Sequence, residues 1–313
     1  MLHVRIPRLL AAVAAATALT LAACGSPAPA GSSPASPGAR GPAASGPAAS
    51  GPASPAGSAP GGTAAIPAPA HTVVVVMENH SYGDIIGNPA APYLARLAGQ
   101  GALFTNSSAI THPSQPDYLD LFSGSDHGIT DDSCPHTLPG PNLGAGLIAT
   151  GRTFAGYSED LPVTGSVLCS AGEYARKHVP WANFPNVPRA DSKPFTAFGA
   201  GGYDRLPTVS FVIPNLCDDM HDCPVATGDR WLQRHLGGYA QWAMTHDSLL
   251  IVTWDEGSGD NHIATIFAGQ QVKPGRYGQP LTHFGVLRTI EDAYGLPHDG
   301  AAAAASPVRS IWK

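Results

Sequence analysis

The chain alternates between short unbroken apolar runs and stretches with helical spacing. Residues 72–77 include four consecutive valines and stop abruptly at Glu78-Asn79-His80. Similar runs recur at 208–213, 248–254 and 263–268, with shorter ones at 102–104 and 153–157. Continuous rather than alternating hydrophobicity predicts strands covered on both faces, as in a parallel sheet. Helical patterns lie between them, at 92–98, 116–122, 229–245 and 284–294. Strands alternating with helices predict an α/β fold, a layered α/β/α sandwich around a mostly parallel central sheet.

Three of these strands run into acidic residues. The first ends in Glu78-Asn79, the strand at 248–254 in Asp255-Glu256, and the strand at 208–213 leads through Pro214-Asn215 to Asp218-Asp219-Met220-His221. Ligands of open parallel sheets sit beyond the carboxyl ends of the strands. If the three ends share one edge, several carboxylates converge, and carboxylates crowded in a cleft repel one another and resist desolvation. A bound cation is the economical resolution; the alternative is acids standing apart in solvated loops. Asp255 and Glu256 can face one site only if the chain bends, and Gly257-Ser258-Gly259 gives it the freedom to do so.

The N-terminal quarter of the chain has none of this patterning. Arg5 and Arg8 precede an apolar run from Leu9 to Leu21, and Leu21-Ala22-Ala23-Cys24 follows. A positive start, a short apolar stretch and small residues at the cut describe a secretory signal over residues 1–23. The run is short for a membrane span. Its end resembles the bacterial lipobox, which implies lipidation of Cys24. Residues 24–70 are almost wholly Pro, Ala, Gly and Ser, a composition that buries no core and reads as a tether reaching about 40 Å as a flexible coil. The expectation is an exported, cell-membrane-anchored lipoprotein facing the extracytoplasmic side, with its globular domain at 71–313. Lys and Arg total 17 against 23 Asp and Glu, a net charge of −6 with no basic run, which argues against a nucleic acid partner. Export also favours disulfides among the remaining cysteines, and proximity in sequence favours Cys217–Cys223, leaving Cys134–Cys169.

Four stretches then stand out together. They are Glu78-Asn79-His80-Ser81-Tyr82-Gly83-Asp84, Ser114-Gln115-Pro116-Asp117-Tyr118 through Phe122-Ser123-Gly124, Trp254-Asp255-Glu256 through Asp260-Asn261-His262, and His283-Phe284-Gly285-Val286-Leu287-Arg288-Thr289-Ile290-Glu291. In this order they resemble the bacterial phosphoesterase family that contains phospholipases C and acid phosphatases. That family is similar in fold and site layout to the wider alkaline-phosphatase superfamily. The resemblance implies a metal-dependent phosphoric ester hydrolase. Ser114 is the expected nucleophile, with Thr111 as the fallback; a serine three residues before an acid is also an ordinary helix cap. Glu78, Asn79, Asp255 and Glu256 are the expected metal ligands, with the metal touching Ser114. The oxygen-rich set departs from the superfamily's two-zinc pattern and suits one harder cation such as magnesium, calcium or manganese, with zinc as the further option.

The superfamily resemblance, in which a matching Asp, His and late His hold a second metal, implies that Asp219, His221, His262 and His283 either hold such a metal or bind phosphate and protonate the leaving group. His221 and His283 are the expected general acids. Lys177 and His178, in a stretch similar to the family's Lys-His-x-Pro, would line the phosphate pocket. The expected activity is an acid-phosphatase-like phosphomonoesterase working through a phosphoserine. A phospholipase C-type phosphodiesterase acting on headgroups is the first alternative, and an inactive surface-tethered binding module the second.

Overall fold

The four valines alternate sides in the folded chain, and that alternation organises the fold. Val74 and Val76 join one apolar cluster, with Phe104, Phe122, Trp181 and Phe211. Val73 and Val75 join another, with Trp231, Tyr239 and Trp254. All four valines are fully buried, as a strand covered on both faces requires. The computed structural model describes residues 65–313. The expected signal peptide, the lipidation of Cys24 and all of the tether up to residue 64 lie outside the described residues. Among the described residues no helix is long and apolar enough to cross a membrane.

Eleven strands are formed in the described residues: β1 His71–Met77, β2 Ala102–Ser108, β3 Phe154–Ser158, β4 Ser170–Ala171, β5 Tyr174–Ala175, β6 Ser192–Pro194, β7 Val209–Ile213, β8 Ser248–Trp254, β9 His262–Gly269, β10 Gly275–Tyr277 and β11 Leu281–Thr282. Nine of them make one sheet in the order β10-β2-β9-β8-β1-β7-β3-β6, with β11 also beside β2. Only β9 runs against its neighbours, so the sheet is mostly parallel. The α-helices among the described residues are α1 Tyr82–Ile85, α2 Pro92–Gln100, α3 Ser114–Ser123, α4 Leu143–Ala149, α5 Val225–His235, α6 Gly237–Ala243 and α7 His283–Tyr294. This is the predicted α/β class.

Departures from the sequence reading have local causes. The single helix expected over 229–245 is two helices, α5 and α6, joined at Leu236. Gly237-Gly238 follows the junction, and glycine is the weakest helix former after proline. β2 continues four residues beyond the expected 102–104 through the polar run Thr105-Asn106-Ser107-Ser108, with its register shifted between Phe104 and Ser107. α4 has no apolar signature beyond Leu143, Leu147 and Ile148; Asn142 starts it by accepting from the Ala145 amide at 2.9 Å. Both expected disulfides form, Cys134–Cys169 with Cα atoms 5.8 Å apart and Cys217–Cys223 at 4.7 Å.

One close approach in β3 is testable. A Cβ added at Gly156 would stand 2.0 Å from Trp181 Cε2, inside a fully buried ring. Gly156→Ala is expected to lower unfolding free energy by about 1–3 kcal/mol in urea melts through overpacking.

Candidate active site

Register brings the acids together. Met77 pairs with Trp254 across β1 and β8, so Glu78 and Asp255 leave neighbouring strands at the same level. The Asp255 amide then donates to the Met77 carbonyl at 2.9 Å. On the other side β1 pairs with β7, and the Glu78 amide donates to the Asp219 carbonyl at 2.9 Å. Asn79, two residues beyond the end of β1, lies in the left-handed region, φ 51°, which asparagine tolerates better than most residues. That turn aims its amide at Asp255 Oδ1, 3.0 Å away; its side chain is exposed.

Glu78 is the centre. Ser114 Oγ donates to its Oε2 at 3.1 Å and Tyr118 OH to its Oε1 at 2.5 Å. Ser114 opens α3, and Tyr118 stands four residues on, one turn along the same face. The His178 ring stacks on Tyr118 with centroids 5.0 Å apart. Its Nε2 lies 3.1 Å from Glu78 Oε1 and its Nδ1 3.6 Å from Asp219 Oδ2. Ligand atoms of Glu78, His178 and Asp219 all fall within 4.8 Å of one another.

The electrostatics of this group call for a cation. Burial, then the charges of Asp255 and Asp219, push the Glu78 carboxyl well above its usual range. Burial is also the main cause that takes Asp219 up to about 8 and Asp255 up to about 7. His178 is driven well below the usual histidine range by burial, then by Lys177 and His221. It is therefore held neutral, the form that ligates metals. Asp219 Oδ2 and Asp255 Oδ2 are buried with no hydrogen-bond partner, where buried polar atoms are ordinarily satisfied. Buried carboxylates, a neutral imidazole and orphaned oxygens fit one divalent cation, and the donor set leaves its identity open among magnesium, calcium, manganese and zinc.

Around this centre the remaining expected residues separate. Glu256 turns to His112 in a short contact on the loop before α3. Lys177 Nζ bonds Asp132 Oδ2 at 2.9 Å and contributes favourably to the Glu78 and Asp255 charges. Asp132 Oδ1 in turn accepts from the Gln115 amide at 3.0 Å. Asp219 Oδ1 accepts from the His221 amide, and His221 Nδ1 meets Asp222 at 2.6 Å. The His221 ring is 6.2 Å from that of His178, so His221 sits at the rim. His283 is buried, with Nδ1 3.3 Å from Asp117 Oδ1 and Nε2 3.0 Å from the Trp254 carbonyl. The structure does not bring His262 into the cluster: its ring stacks on Tyr82 at 4.6 Å and meets the Thr105 carbonyl. Thr111 offers its hydroxyl only to the His112 carbonyl.

Four residues of this site escaped the sequence reading of roles: Tyr118, Asp117, Asp132 and His112. Helical spacing holds the signal for two of them, since residues three and four beyond Ser114 must share its face. Asp117 uses that position to accept from the Ile110 and Thr111 amides, which holds the loop before Ser114 in place. Asp132 and His112 lie in loops with no periodicity to read.

Comparison with known proteins identifies the family and the fold. Residues 88–297 match the Phosphoesterase family. A phosphatidylinositol-3-phosphatase of Mycobacterium tuberculosis is 53% identical over 253 residues, 80% of this chain and 85% of the relative. A phosphate-repressible acid phosphatase of Penicillium chrysogenum is 30% identical over 231 residues, covering 66% of this chain but 55% of the fungal protein; the chain thus spans little more than half of that relative. Among solved structures, the lipoteichoic acid synthase LtaP of Listeria monocytogenes superposes with TM-score 0.53 at 10% identity, covering 74% of this chain and 73% of its own. An alkaline-phosphatase-superfamily protein of Vibrio parahaemolyticus gives 0.52 at 11%, covering 77% and 70%. At such identities they show the fold alone, an alkaline-phosphatase-like one. With well over half of its length inside the family model and a relative at 53% identity, the chain belongs to the Phosphoesterase family and is a phosphoric ester hydrolase.

Proposed function

We propose that this chain is a metal-dependent phosphomonoesterase working through a phosphoserine at Ser114. The observation that carries the proposal is the Ser114 hydroxyl at the start of α3, set against Glu78 within the acid cluster. Glu78, His178, Asp219 and Asp255 would hold a divalent cation, which when bound supplies charge neutralisation at phosphoryl oxygens and lowers the pKa of a hydroxyl it touches.

The chain's own groups do the rest. Ser114 Oγ attacks phosphorus in line, and its proton passes to Glu78 Oε2, the acceptor it already faces, which returns it to the seryl oxygen when water cleaves the phosphoseryl bond and is again ionised. The Lys177 ammonium, next to the acids, receives phosphoryl oxygens. His221 at the rim protonates the leaving alcohol and then takes a proton from the water that releases phosphate. His283, with both ring nitrogens engaged in the interior, positions α3 against β8 instead. Most of the rate enhancement then comes from positioning and electrostatics.

The mycobacterial relative is named as a phosphatidylinositol-3-phosphatase, which extends the substrate class from small soluble monoesters to phosphorylated lipid headgroups. A lipid on Cys24 would place the domain beside such substrates. The discriminating assay compares nitrophenyl phosphate with nitrophenyl phosphorylcholine, each with and without chelator. The monoester is expected to turn over and to be silenced by chelator. Preference for the phosphorylcholine diester would assign a phospholipase C-type activity instead, and absence of both turnover and bound cation would assign a binding module.

A further inference from the structure

Among the described residues four large aliphatic side chains are exposed; Ile148 on α4 stands alone, and the other three cluster. Val163 is 63% exposed, Leu168 55% and Val167 42%, all within one turn of chain between the carboxyl end of β3 and Cys169. Scattered exposed aliphatics are ordinary; three on one rigid turn ask for a partner. The turn is rigid by construction. The Ser166 amide donates to the Val163 carbonyl at 3.1 Å and the Gly165 amide to the Ser192 carbonyl at 2.8 Å. The Arg176 guanidinium donates to the Val167 carbonyl at 2.8 Å. The Cys134–Cys169 disulfide fixes the far end. Two cavities adjoin the segment, one of about 990 Å³ lined in part by Leu161 and Pro162, the other of about 510 Å³ lined in part by Gly165, Ser166 and Val167.

The same disulfide ties the turn to the nucleophile. Leu168 is joined through Cys169 to Cys134, and Cys134 follows Asp132-Ser133. Asp132 accepts from the Gln115 amide and Ser133 from the Gln115 side chain. Gln115 is the residue after Ser114. The exposed turn and the reacting hydroxyl are thus two ends of one braced loop on the catalytic edge of the sheet.

We propose that Val163, Val167 and Leu168 form a prong that enters the surface of a phospholipid bilayer and presents phosphorylated headgroups to Ser114. The inference rests on the phosphatase reading for its substrate. A bilayer fits better than a second protein on three counts. Three side chains are far from the roughly 800 Å² per partner of a stable protein interface. About 40 residues separate Cys24 from the described domain, so a lipid there would keep the domain, prong included, beside a membrane rather than free in solution. A chain of net charge −6 gains nothing from anionic lipid, so apolar insertion is the attraction left, and it is insensitive to salt.

The test uses the full chain carrying Cys24→Ser, so that no attached lipid masks the contact, with phosphatidylcholine vesicles containing phosphatidylinositol 3-phosphate. The triple variant Val163→Ser, Val167→Ser, Leu168→Ser is expected to lose about tenfold in vesicle co-sedimentation and in turnover of the vesicle lipid, with nitrophenyl phosphate turnover unchanged. Leu168→Trp in the otherwise intact chain should show a blue-shifted emission on adding vesicles, which guards against misfolding of the triple variant. Unchanged vesicle turnover in the triple variant, or no shift in the tryptophan variant, overturns the prong. So does a concentration-dependent dimer that the triple variant abolishes, which would assign the turn to a second copy of the chain. Should the parent turn over neither substrate, the phosphatase reading fails, while the tryptophan emission still decides the prong.

Discussion

Ser114→Ala is expected to lower turnover of a phosphate monoester by at least about 10³-fold while leaving the protein folded and able to bind metal. A loss of that size corresponds to about 4 kcal/mol of transition-state stabilisation, which is what removing the atom that forms the covalent bond should cost. The structural cost is smaller. The variant deletes one hydrogen bond to Glu78, about 1–2 kcal/mol, and leaves Tyr118 and His178 against that carboxylate. Metal content by plasma emission and a thermal melt separate the two effects. Thr111→Val is the control, since that hydroxyl reaches only a neighbouring carbonyl and its loss should leave turnover near that of the parent. A folded Ser114→Ala protein with full activity would remove this serine from the mechanism.

The second large effect concerns Glu78 and is visible both in activity and in the pH dependence of stability. Without metal, Asp255 and Asp219 titrate near 7 and 8, and Glu78 well above its usual range, because burial and mutual repulsion disfavour their charged forms. In the unfolded chain they titrate near 4. Between about pH 4 and 8 the folded, metal-free protein therefore holds more protons than the unfolded one, and its stability falls as pH rises through that window. A cation needs the ionised ligands, so its binding strengthens over the same range. Melting temperatures with and without divalent cation should nearly coincide at pH 5 and differ by about 5–10 °C at pH 8 at saturating metal. Glu78→Gln should abolish most of that difference, flatten the metal-free decline and cut turnover at least about 10³-fold. A metal-induced shift that is equal at both pH values, or intact in Glu78→Gln, would contradict the assigned ligand set.

How far the sequence spoke can be followed residue by residue. The apolar runs disclosed the sheet because burial on both faces leaves no room for polar positions, and the abrupt change at Met77-Glu78 and Trp254-Asp255 marked the strand ends. Their convergence was a matter of strand order, which composition does not encode; the motif resemblance implied it, and the register of β1 with β8 and β7 accounts for it. His178 was read as lining a phosphate pocket, yet it stands among the acids with Glu78 and Asp219. Its place depends on a short 3-10 turn after the β4–β5 hairpin, a geometry with no periodic signature. The glycine pair that separates α5 from α6 was plain in the sequence but lay inside an otherwise continuous helical pattern. Tyr118 and Asp117 stand one helical turn beyond Ser114, and i, i+3 and i, i+4 spacing alone points to them.

Acids from three strand ends and the Ser114 hydroxyl, acting as one hydrolytic site, must leave a phosphoseryl enzyme during turnover. Acid-quenching the metal-loaded enzyme during turnover of a phosphate monoester, followed by peptide mass spectrometry, tests it most directly. Phosphate on the peptide bearing Ser114, absent when chelator is added before substrate, is the predicted result. Turnover with no phosphopeptide and with inverted configuration at phosphorus would contradict it.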